Sequence, residues 1–148
     1  MKIYLGADHN GFELKKQLLE YLRRNHYEVS DEGDMSLDPE DDYPVFASKV
    51  VAAMRSSSDP EPRGILICGS GQGICIAANR FKGIRASVCH SADEARSGRN
   101  DDDTNVLCLP ARQVDHSQAE TILYAWLNTG FAGAPRFKRR IVELDELG

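Results

Sequence analysis

The chain has 148 residues, of which 41% are hydrophobic and 28% charged, and its formal net charge at pH 7 is −5. This composition is typical of a soluble globular protein, and the length suits a single domain over residues 1–148. The negative charge argues against nucleic-acid binding, which needs a broad basic surface. No apolar stretch approaches the roughly 18 residues that span a bilayer, and the N-terminal apolar run is too short for a signal peptide. We therefore expect a cytoplasmic protein that does not bind membranes.

Short apolar runs alternate with segments of helical spacing along the chain. The first run, KIYLG, predicts a strand, and Leu14, Leu18 and Leu22, four residues apart, predict the helix after it. Further strands are predicted at YEVSD, GILIC, RASVC and NVLCL, and further helices at VFASKVVAAMRSS, GICIAANRF, SADEARSGR and SQAETILYAWLNTG. Because parallel strands need crossover helices, this alternation predicts an α/β fold, a three-layer doubly wound, Rossmann-like sheet of five parallel strands. The segment RFKRRIVELDEL is predicted to add a C-terminal helix.

The four cysteines form neither a zinc-binding nor a disulfide pattern, since no two are spaced as Cys-x-x-Cys. Cys75, Cys89 and Cys108 lie in apolar surroundings and are interpreted as small core residues. The acidic runs, PEDD and NDDD among them, lack the spacing of a calcium-binding loop and are interpreted as solvated loops. Cys68 differs from the other three, because it ends an apolar run and directly precedes a glycine-rich loop.

In open parallel sheets, ligands bind beyond the carboxyl ends of the strands. This rule selects residues that directly follow the predicted strands: Asp8, His9 and Asn10 after the first, the segment 68–73 after the third, His90 and Ser91 after the fourth, and the segment 110–112, which includes Arg112, after the fifth. Together they supply a carboxylate, an imidazole, a thiol, a hydroxyl and a guanidinium. That set suits acid–base chemistry on an anionic substrate.

The loop that contains Gly69, Gly71 and Gly73 fits neither of two common phosphate-binding patterns. Its spacing is G-x-G-x-G rather than the G-x-G-x-x-G of dinucleotide sites, and it lacks the lysine of a P-loop. It does bring backbone N–H groups to a helix N-terminus, which suits an oxyanion or a phosphate. A purely structural tight turn is the alternative interpretation.

Cys68 lies where the helix end favours a thiolate, and the neighbouring Ser70 hydroxyl is a candidate donor to it. A cysteine-dependent phosphatase would need a C-x5-R loop, but Ile74 occupies the arginine position. The remaining functional interpretation is a general base. An inert cysteine buried at a strand end is the alternative.

Arg136 and Arg140 are four residues apart, so a helix would project both guanidinium groups from one face. Two such groups can bind a phosphate with forked hydrogen bonds, and Arg112 is a candidate for a third. A solvated basic helix face is the ordinary alternative.

Five stretches together resemble one known family: GADHNGFELK, DDYP, GILICGSGQGICIAANRFKGIRA, DTNVL and RFKRRIVEL. The family is that of ribose-5-phosphate isomerase B, which also includes galactose-6-phosphate and allose-6-phosphate isomerases. The resemblance extends over nearly the whole chain. It implies that an aldose phosphate and a ketose phosphate interconvert through a cis-enediol, with no metal and no cofactor. It also implies a homodimer or homotetramer with active sites at the dimer interface.

The resemblance also implies roles for individual residues, carried over by position. Cys68 would be the base that moves a proton between C2 and C1 of the sugar, and the loop 69–73, including Ser70, would hold the enediolate. The substrate would be bound by Asp8, His9, Tyr43, Gly69, Gly71, Gly73, Arg112, Arg136 and Arg140, with the arginines on its phosphate.

Three residues, in two segments, depart from the family pattern. Where ribose-5-phosphate members usually read HNDTN, this chain reads DDDTN. Asp101 thus replaces the histidine assigned to opening the sugar ring, and Asp102 replaces an asparagine that binds the enediolate. Phe137 likewise replaces a histidine between the two helical arginines. Our hypothesis is that Asp101 and Asp102 take over ring opening or hydroxyl recognition.

The expected substrate is ribose 5-phosphate. The departures leave two alternatives open, which are another sugar phosphate, such as allose 6-phosphate or galactose 6-phosphate, and a non-catalytic sugar-phosphate-binding protein. Cys68 favours an enzyme, because a binding protein has no use for a thiolate at the proton-transfer position.

Overall fold

The computed structural model of the protein describes residues 1–148. The strands are β1 (Lys2–Ala7), β2 (Glu28–Asp31), β3 (Arg63–Cys68), β4 (Ala86–Val88) and β5 (Val106–Pro110). The helices are α1 (Phe12–Arg24), α2 (Tyr43–Arg55), α3 (Gln72–Asn79), α4 (Ala92–Asp102), α5 (His116–Leu127) and α6 (Pro135–Asp145). All five strands pair in parallel in the order β2-β1-β3-β5-β4, which confirms the predicted doubly wound fold.

The sheet is apolar on both faces because helices cover both of them. One core cluster joins the sheet to α1, α4 and α5, and Leu18 and Trp126 are buried in it. The second cluster joins the opposite face to α2 and α3 through residues such as Phe46 and Ile74. Helix α6 buries none of its residues.

Two element boundaries differ from the sequence prediction. Helix α2 begins at Tyr43, two residues early, because Pro44 suits a first helical turn. Helix α4 continues through Asp102, so the interpretation of the NDDD run as a solvated loop is wrong. The helix ends only where Asp103 takes a left-handed conformation with φ of 48°. Arg99, buried one turn earlier, holds that residue by donating to its carboxylate at 2.7 Å.

Lys15 is a fully buried cation that ties α1 to β2. Its side chain is 1% exposed, and Nζ donates to the two carboxylate oxygens of Asp31 at 2.9 and 3.0 Å. A third bond, of 2.8 Å, goes to the backbone oxygen of Asp34. All three ammonium protons therefore have partners inside the protein.

The substitution Lys15→Met is expected to lower the free energy of unfolding by about 3–5 kcal/mol, because it leaves the Asp31 carboxylate buried without its partner. Urea denaturation measures this difference. Lys16→Met is the matched control, since the Lys16 side chain is 59% exposed. Equal losses of unfolding free energy in Lys15→Met and Lys16→Met would contradict the stabilising role of the pair between Lys15 and Asp31.

None of the helices combines the length and the apolar character needed to cross a membrane.

Candidate active site

The candidate site lies at the carboxyl ends of β1 and β3, two neighbouring strands from which the chain continues to opposite sides of the sheet. From β1 the chain passes to β2 on one side, whereas β3 leads to β4 and β5 on the other. Ligands bind in parallel sheets of this kind at such a reversal. The backbone N–H of Asp8 donates to the oxygen of Ile67 at 3.2 Å, which holds the loops after β1 and β3 side by side.

Asp8 forms one wall of this crevice. Its carboxylate accepts from the backbone N–H groups of Asn10 at 3.0 Å and Gly11 at 3.3 Å, and so caps a short 3-10 turn. The residue is 4% exposed, and burial raises the pKa of its carboxyl group despite those hydrogen bonds. The turn fixes the direction of the next side chain, His9.

The loop after β3 has the features of an anion site. Cys68 is 4% exposed, and Gly69 and Gly71 in the loop that follows it are buried as well. The backbone N–H groups of Gly69, Ser70 and Gly71 donate no hydrogen bond within the chain. Ser70, between the two buried glycines, is half-buried. Free N–H groups beside a thiol at a helix N-terminus suit an anionic ligand.

Ser70 does not bond to the thiol in this structure. Its Oγ accepts from the backbone N–H of Gln72 at 3.3 Å, which leaves the hydroxyl proton available to a ligand. Gly71 takes a φ of 72°, the left-handed conformation that starts α3. A glycine suits this position because other residues pay a steric cost there.

Two predicted side chains rest directly on the glycines of the loop. A Cβ atom on Gly69 would lie 2.9 Å from Cζ of Arg112, and one on Gly73 would lie 2.7 Å from Cζ of Tyr43. Arg112 is also held by its backbone N–H, which donates to the oxygen of Gly69 at 3.0 Å. The glycines therefore create the room in which a guanidinium and a phenol flank the loop.

Gly69→Ala is expected to raise KM about tenfold with little loss of stability, because the new methyl group displaces the flexible end of Arg112 and weakens its hydrogen bonds to an anionic substrate. Steady-state kinetics and thermal unfolding measure the two effects. Gly130→Ala is the control, since a Cβ there meets no atom within 4 Å. An unchanged KM in Gly69→Ala would contradict the placement of Arg112 at the substrate.

His9 is held by a carboxylate from the acidic loop before α2. Asp41 Oδ1 lies 2.8 Å from His9 Nδ1 and also accepts the backbone N–H of His9 at 2.8 Å. This hydrogen bond, helped by the negative charge of Asp8, raises the pKa of His9. The Asp41 side chain is only 10% exposed, so this residue of the PEDD run belongs to the site rather than to a solvated loop.

The three remaining cysteines are buried, which confirms their interpretation as core residues. Burial raises the pKa of Cys89 to about 11 and that of Cys108 well above its usual value. These two thiols therefore stay protonated at neutral pH.

Four predicted site residues lie at the opposite end of the sheet. Asp101 and Asp102 end α4, and the backbone oxygen of Asp102 accepts from Arg85, which immediately precedes β4. Cys68 is instead at the carboxyl end of β3, where it pairs with Pro110. The two ends of the sheet are separated by the rise of four strand residues, a distance of about 13 Å.

Arg136 and Arg140 belong to this second group, because α6 follows a segment tied to the end of α4. The backbone N–H of Ala132 donates to the oxygen of Asn100 at 3.1 Å. Both arginines are exposed, and their guanidinium groups form no hydrogen bond or ion pair within the chain. One chain thus holds two half-sites: the carboxyl-end group around Cys68, and the amino-end group of Asp101, Asp102, Arg136 and Arg140.

A cavity of about 870 Å³ lies at the amino ends of the strands and contains none of the predicted site residues. Arg85 and Arg99 line it, and both donate to the carboxylate of Asp103. Chemistry, rather than cavity size, locates the site at the carboxyl ends.

Comparison with known proteins identifies the family of the chain. The family model described as Ribose/Galactose Isomerase matches residues 3–144. Ribose-5-phosphate isomerase B of Escherichia coli is 42% identical over 140 residues, which cover 95% of this chain and 91% of the relative. Ribose-5-phosphate isomerase B of Mycobacterium leprae is 38% identical over 146 residues, covering 99% of this chain and 89% of the relative.

Solved structures agree with the sequence matches. The ribose 5-phosphate isomerase of Thermotoga maritima superposes with a TM-score of 0.92 at 42% identity, covering 99% of this chain and 98% of the other. Ribose-5-phosphate isomerase B of Mycoplasma genitalium, with bound ribulose-5-phosphate, gives 0.90 at 39% identity and coverage of 97% and 93%. These matches define the class of the protein, which is an isomerase. The chain belongs to the ribose/galactose isomerase family.

Sequence reasoning missed one residue of the carboxyl-end group and undervalued another. Asp41 is 32 residues from His9, and its acidic run resembles any solvated loop. Asn10 follows β1 but has no distinctive spacing, although its Oδ1 accepts from Arg112 at 3.3 Å. The strand-end rule selects Asn10 together with Asp8 and His9, whereas no signal in the sequence distinguishes Asp41.

Proposed function

We propose that the protein interconverts ribose 5-phosphate and ribulose 5-phosphate. The relatives just described carry that activity in their names, and one was solved with ribulose-5-phosphate bound. The observation that carries the proposal is the buried loop after Cys68, in which three backbone N–H groups lack partners. An enediolate oxygen next to a thiolate base is the anion that this arrangement would stabilise.

In the proposed reaction, Cys68 moves a proton from C2 to C1 of the sugar, and the loop directly after Cys68 stabilises the negative oxygen. In the open-chain aldose, the Cys68 thiolate takes the proton from C2, and the electron pair moves to form the C1–C2 double bond and a negative C1 oxygen. The free N–H groups of Gly69, Ser70 and Gly71 stabilise that oxygen. The thiol then returns the proton to C1, and the proton of the C2 hydroxyl passes to the C1 oxygen as the C2 carbonyl forms. The ketose is produced, Cys68 is again a thiolate, and there is no net change in protons.

The substrate phosphate is assigned to both half-sites. Arg112 and His9 would bind it from the carboxyl-end group, and Arg136 and Arg140 would bind it from the amino-end group. Because the two groups lie at opposite ends of one sheet, a complete site needs two chains. We therefore infer a homodimer, alone or paired into a tetramer, in which each site combines half-sites from two chains.

Exposed apolar surface supports this assembly. Ile76 on α3 is 65% exposed, only eight residues after Cys68. On α6, Val142 and Leu144 are 57% and 48% exposed, and the helix buries no residue. A second chain laid over these helices would bury their apolar side chains, as homodimer interfaces do.

Ring opening is assigned to Asp101 and Asp102, supplied by the second chain. Asp101 is half-buried and accepts from Asn100 Nδ2 at 2.7 Å. A carboxyl group can donate a proton to the ring oxygen near neutral pH only if it is desolvated or placed beside another carboxylate. Cover by the partner chain and the adjacent Asp102 would supply both conditions.

The proposal is tested by ¹H NMR of the purified protein with ribose 5-phosphate, allose 6-phosphate and galactose 6-phosphate. Formation of ribulose 5-phosphate faster than formation of either hexose ketose is the expected result. Faster turnover of a hexose phosphate would show that the protein, with Asp101 and Asp102 in place of the family's histidine and asparagine, acts on a different substrate. Binding of all three without turnover would overturn the proposal and leave a sugar-phosphate-binding protein.

A further inference from the structure

A continuous chain of hydrogen bonds links the acidic loop to the glycine loop. Asp41 Oδ1 contacts His9 Nδ1 at 2.8 Å, and His9 Nε2 contacts Asn10 Nδ2 at 3.2 Å. Asn10 Oδ1 accepts from Arg112 Nη2 at 3.3 Å, and the Arg112 guanidinium rests on Gly69. Asn10 thus connects two groups assigned to the substrate phosphate, His9 and Arg112, and Asp41 holds His9 from its other side. Neither Asn10 nor Asp41 has a role in the proposed function.

The chemistry of the side chains fixes the direction of every bond in this chain. A guanidinium can only donate, so the oxygen of Asn10 faces Arg112 and its amide nitrogen faces His9. That amide nitrogen is itself a donor, so His9 Nε2 must accept and carries no proton. The proton of the neutral ring is then on Nδ1, where it is donated to Asp41.

Protonation of His9 is incompatible with this arrangement. An Nε2–H group would face the NH₂ group of Asn10, donor against donor. The amide would have to turn its oxygen towards His9, which would direct its NH₂ group at Arg112, a residue that cannot accept. The bond between Asn10 and Arg112 would therefore be lost, and the guanidinium would be free for another anion.

We propose that Asp41 and Asn10 are positioning residues that hold His9 and Arg112 in one hydrogen-bonded chain, and that this chain releases Arg112 to the substrate phosphate when His9 takes up a proton. The proposal rests on the function assigned above. Asp41 favours the proton on His9, whereas Asn10 opposes it. An arriving phosphate dianion shifts the balance towards the imidazolium, and the same event frees Arg112.

The charged groups that face His9 are few. Asp8 precedes it in the 3-10 turn, Asp41 reaches it from the loop before α2, and Arg112 reaches it from the segment after β5 through Asn10. The two carboxylates raise the pKa of His9, and desolvation acts against them. Substitutions at positions 41 and 10 should therefore move this pKa in opposite directions.

The first test is a histidine NMR titration of the free protein. Asp41→Asn should lower the pKa of His9, because the neutral amide stabilises an imidazolium less than a carboxylate does. Asn10→Ala should raise it, because the donor that requires an unprotonated Nε2 is gone. Glu40→Gln is the matched control, since it removes a charge from the same loop at an exposed side chain with no hydrogen bond. An unchanged pKa in Asp41→Asn, or a lower one in Asn10→Ala, would overturn the proposal.

The second test measures phosphate affinity with inorganic phosphate as the probe. Asp41→Asn should weaken binding at pH 7 about tenfold, as the loss of one hydrogen bond to a charged group predicts. Asn10→Ala should weaken it less, or tighten it, because Arg112 is then free from the start. With ribose 5-phosphate, the change should fall on KM rather than kcat.

These tests separate the inference from the proposed function. The titration and the phosphate measurement need no turnover, so they remain valid whichever sugar phosphate is the substrate. Equal weakening of phosphate binding in Asp41→Asn and Glu40→Gln would attribute the effect to loop charge alone and would contradict the positioning role.

Discussion

Replacement of Cys68 by alanine is expected to lower kcat by about 10²- to 10⁴-fold, the usual contribution of a general base. The Kd for ribose 5-phosphate should stay within about threefold, because the thiol lies beside the reacting carbons and not at the phosphate. Isothermal titration calorimetry measures the Kd, and a coupled assay measures kcat. Cys68→Ser should be nearly as inactive, since a serine hydroxyl does not ionise near neutral pH.

Cys75→Ala is the matched control for this substitution. Cys75 lies in the same core cluster and is 8% exposed, against 4% for Cys68. Both variants remove a buried sulfur, so they should lose similar stability, and only the Cys68 variant should lose turnover. Full activity in Cys68→Ala would show instead that Cys68 is an inert core cysteine.

The second large effect is the recovery of activity that we expect when two inactive variants are mixed and exchange subunits. Cys68→Ala disables the carboxyl-end half-site, and the double variant Arg136→Gln and Arg140→Gln disables the amino-end half-site. A mixed dimer combines one intact half-site from each chain into a single working site. Random mixing in equal amounts should restore about a quarter of wild-type activity, because half of the dimers are mixed and each has one working site in two.

The expected recovery depends on where the half-sites lie. A mixture of Cys68→Ala with Cys68→Ser should regain nothing, because both defects affect the same half-site. If each site were built from one chain, the first mixture would also stay inactive. Measurement of mixed-dimer formation by native mass spectrometry confirms that the subunits have exchanged.

Local patterns in the sequence were enough to predict the sheet and the carboxyl-end group. Period-2 and period-3.6 hydrophobicity sets strands and helices, and parallel pairing then brings Asp8, Cys68 and Arg112 to one edge. The strand order was not predicted, because the β3-β5-β4 arrangement depends on which helix faces pack together. No local signal records that choice.

The remaining errors have a common physical cause. Asp41 was interpreted as solvated because its partner His9 is distant in sequence. The NDDD run has the composition of an ordinary solvated loop, but Arg85 and Arg99 bind Asp103 and hold the end of α4 in place. Tertiary partners override local propensity at both positions.

The central claim is that Cys68 moves a proton between C2 and C1 of a sugar phosphate. The most direct test is ¹H NMR of ribose 5-phosphate in deuterium oxide with catalytic amounts of the protein. The account predicts that the C2 proton exchanges for deuterium with the wild-type protein and that exchange falls at least about 10²-fold in Cys68→Ala. Equal exchange rates in the two proteins, or no exchange in either, would contradict it.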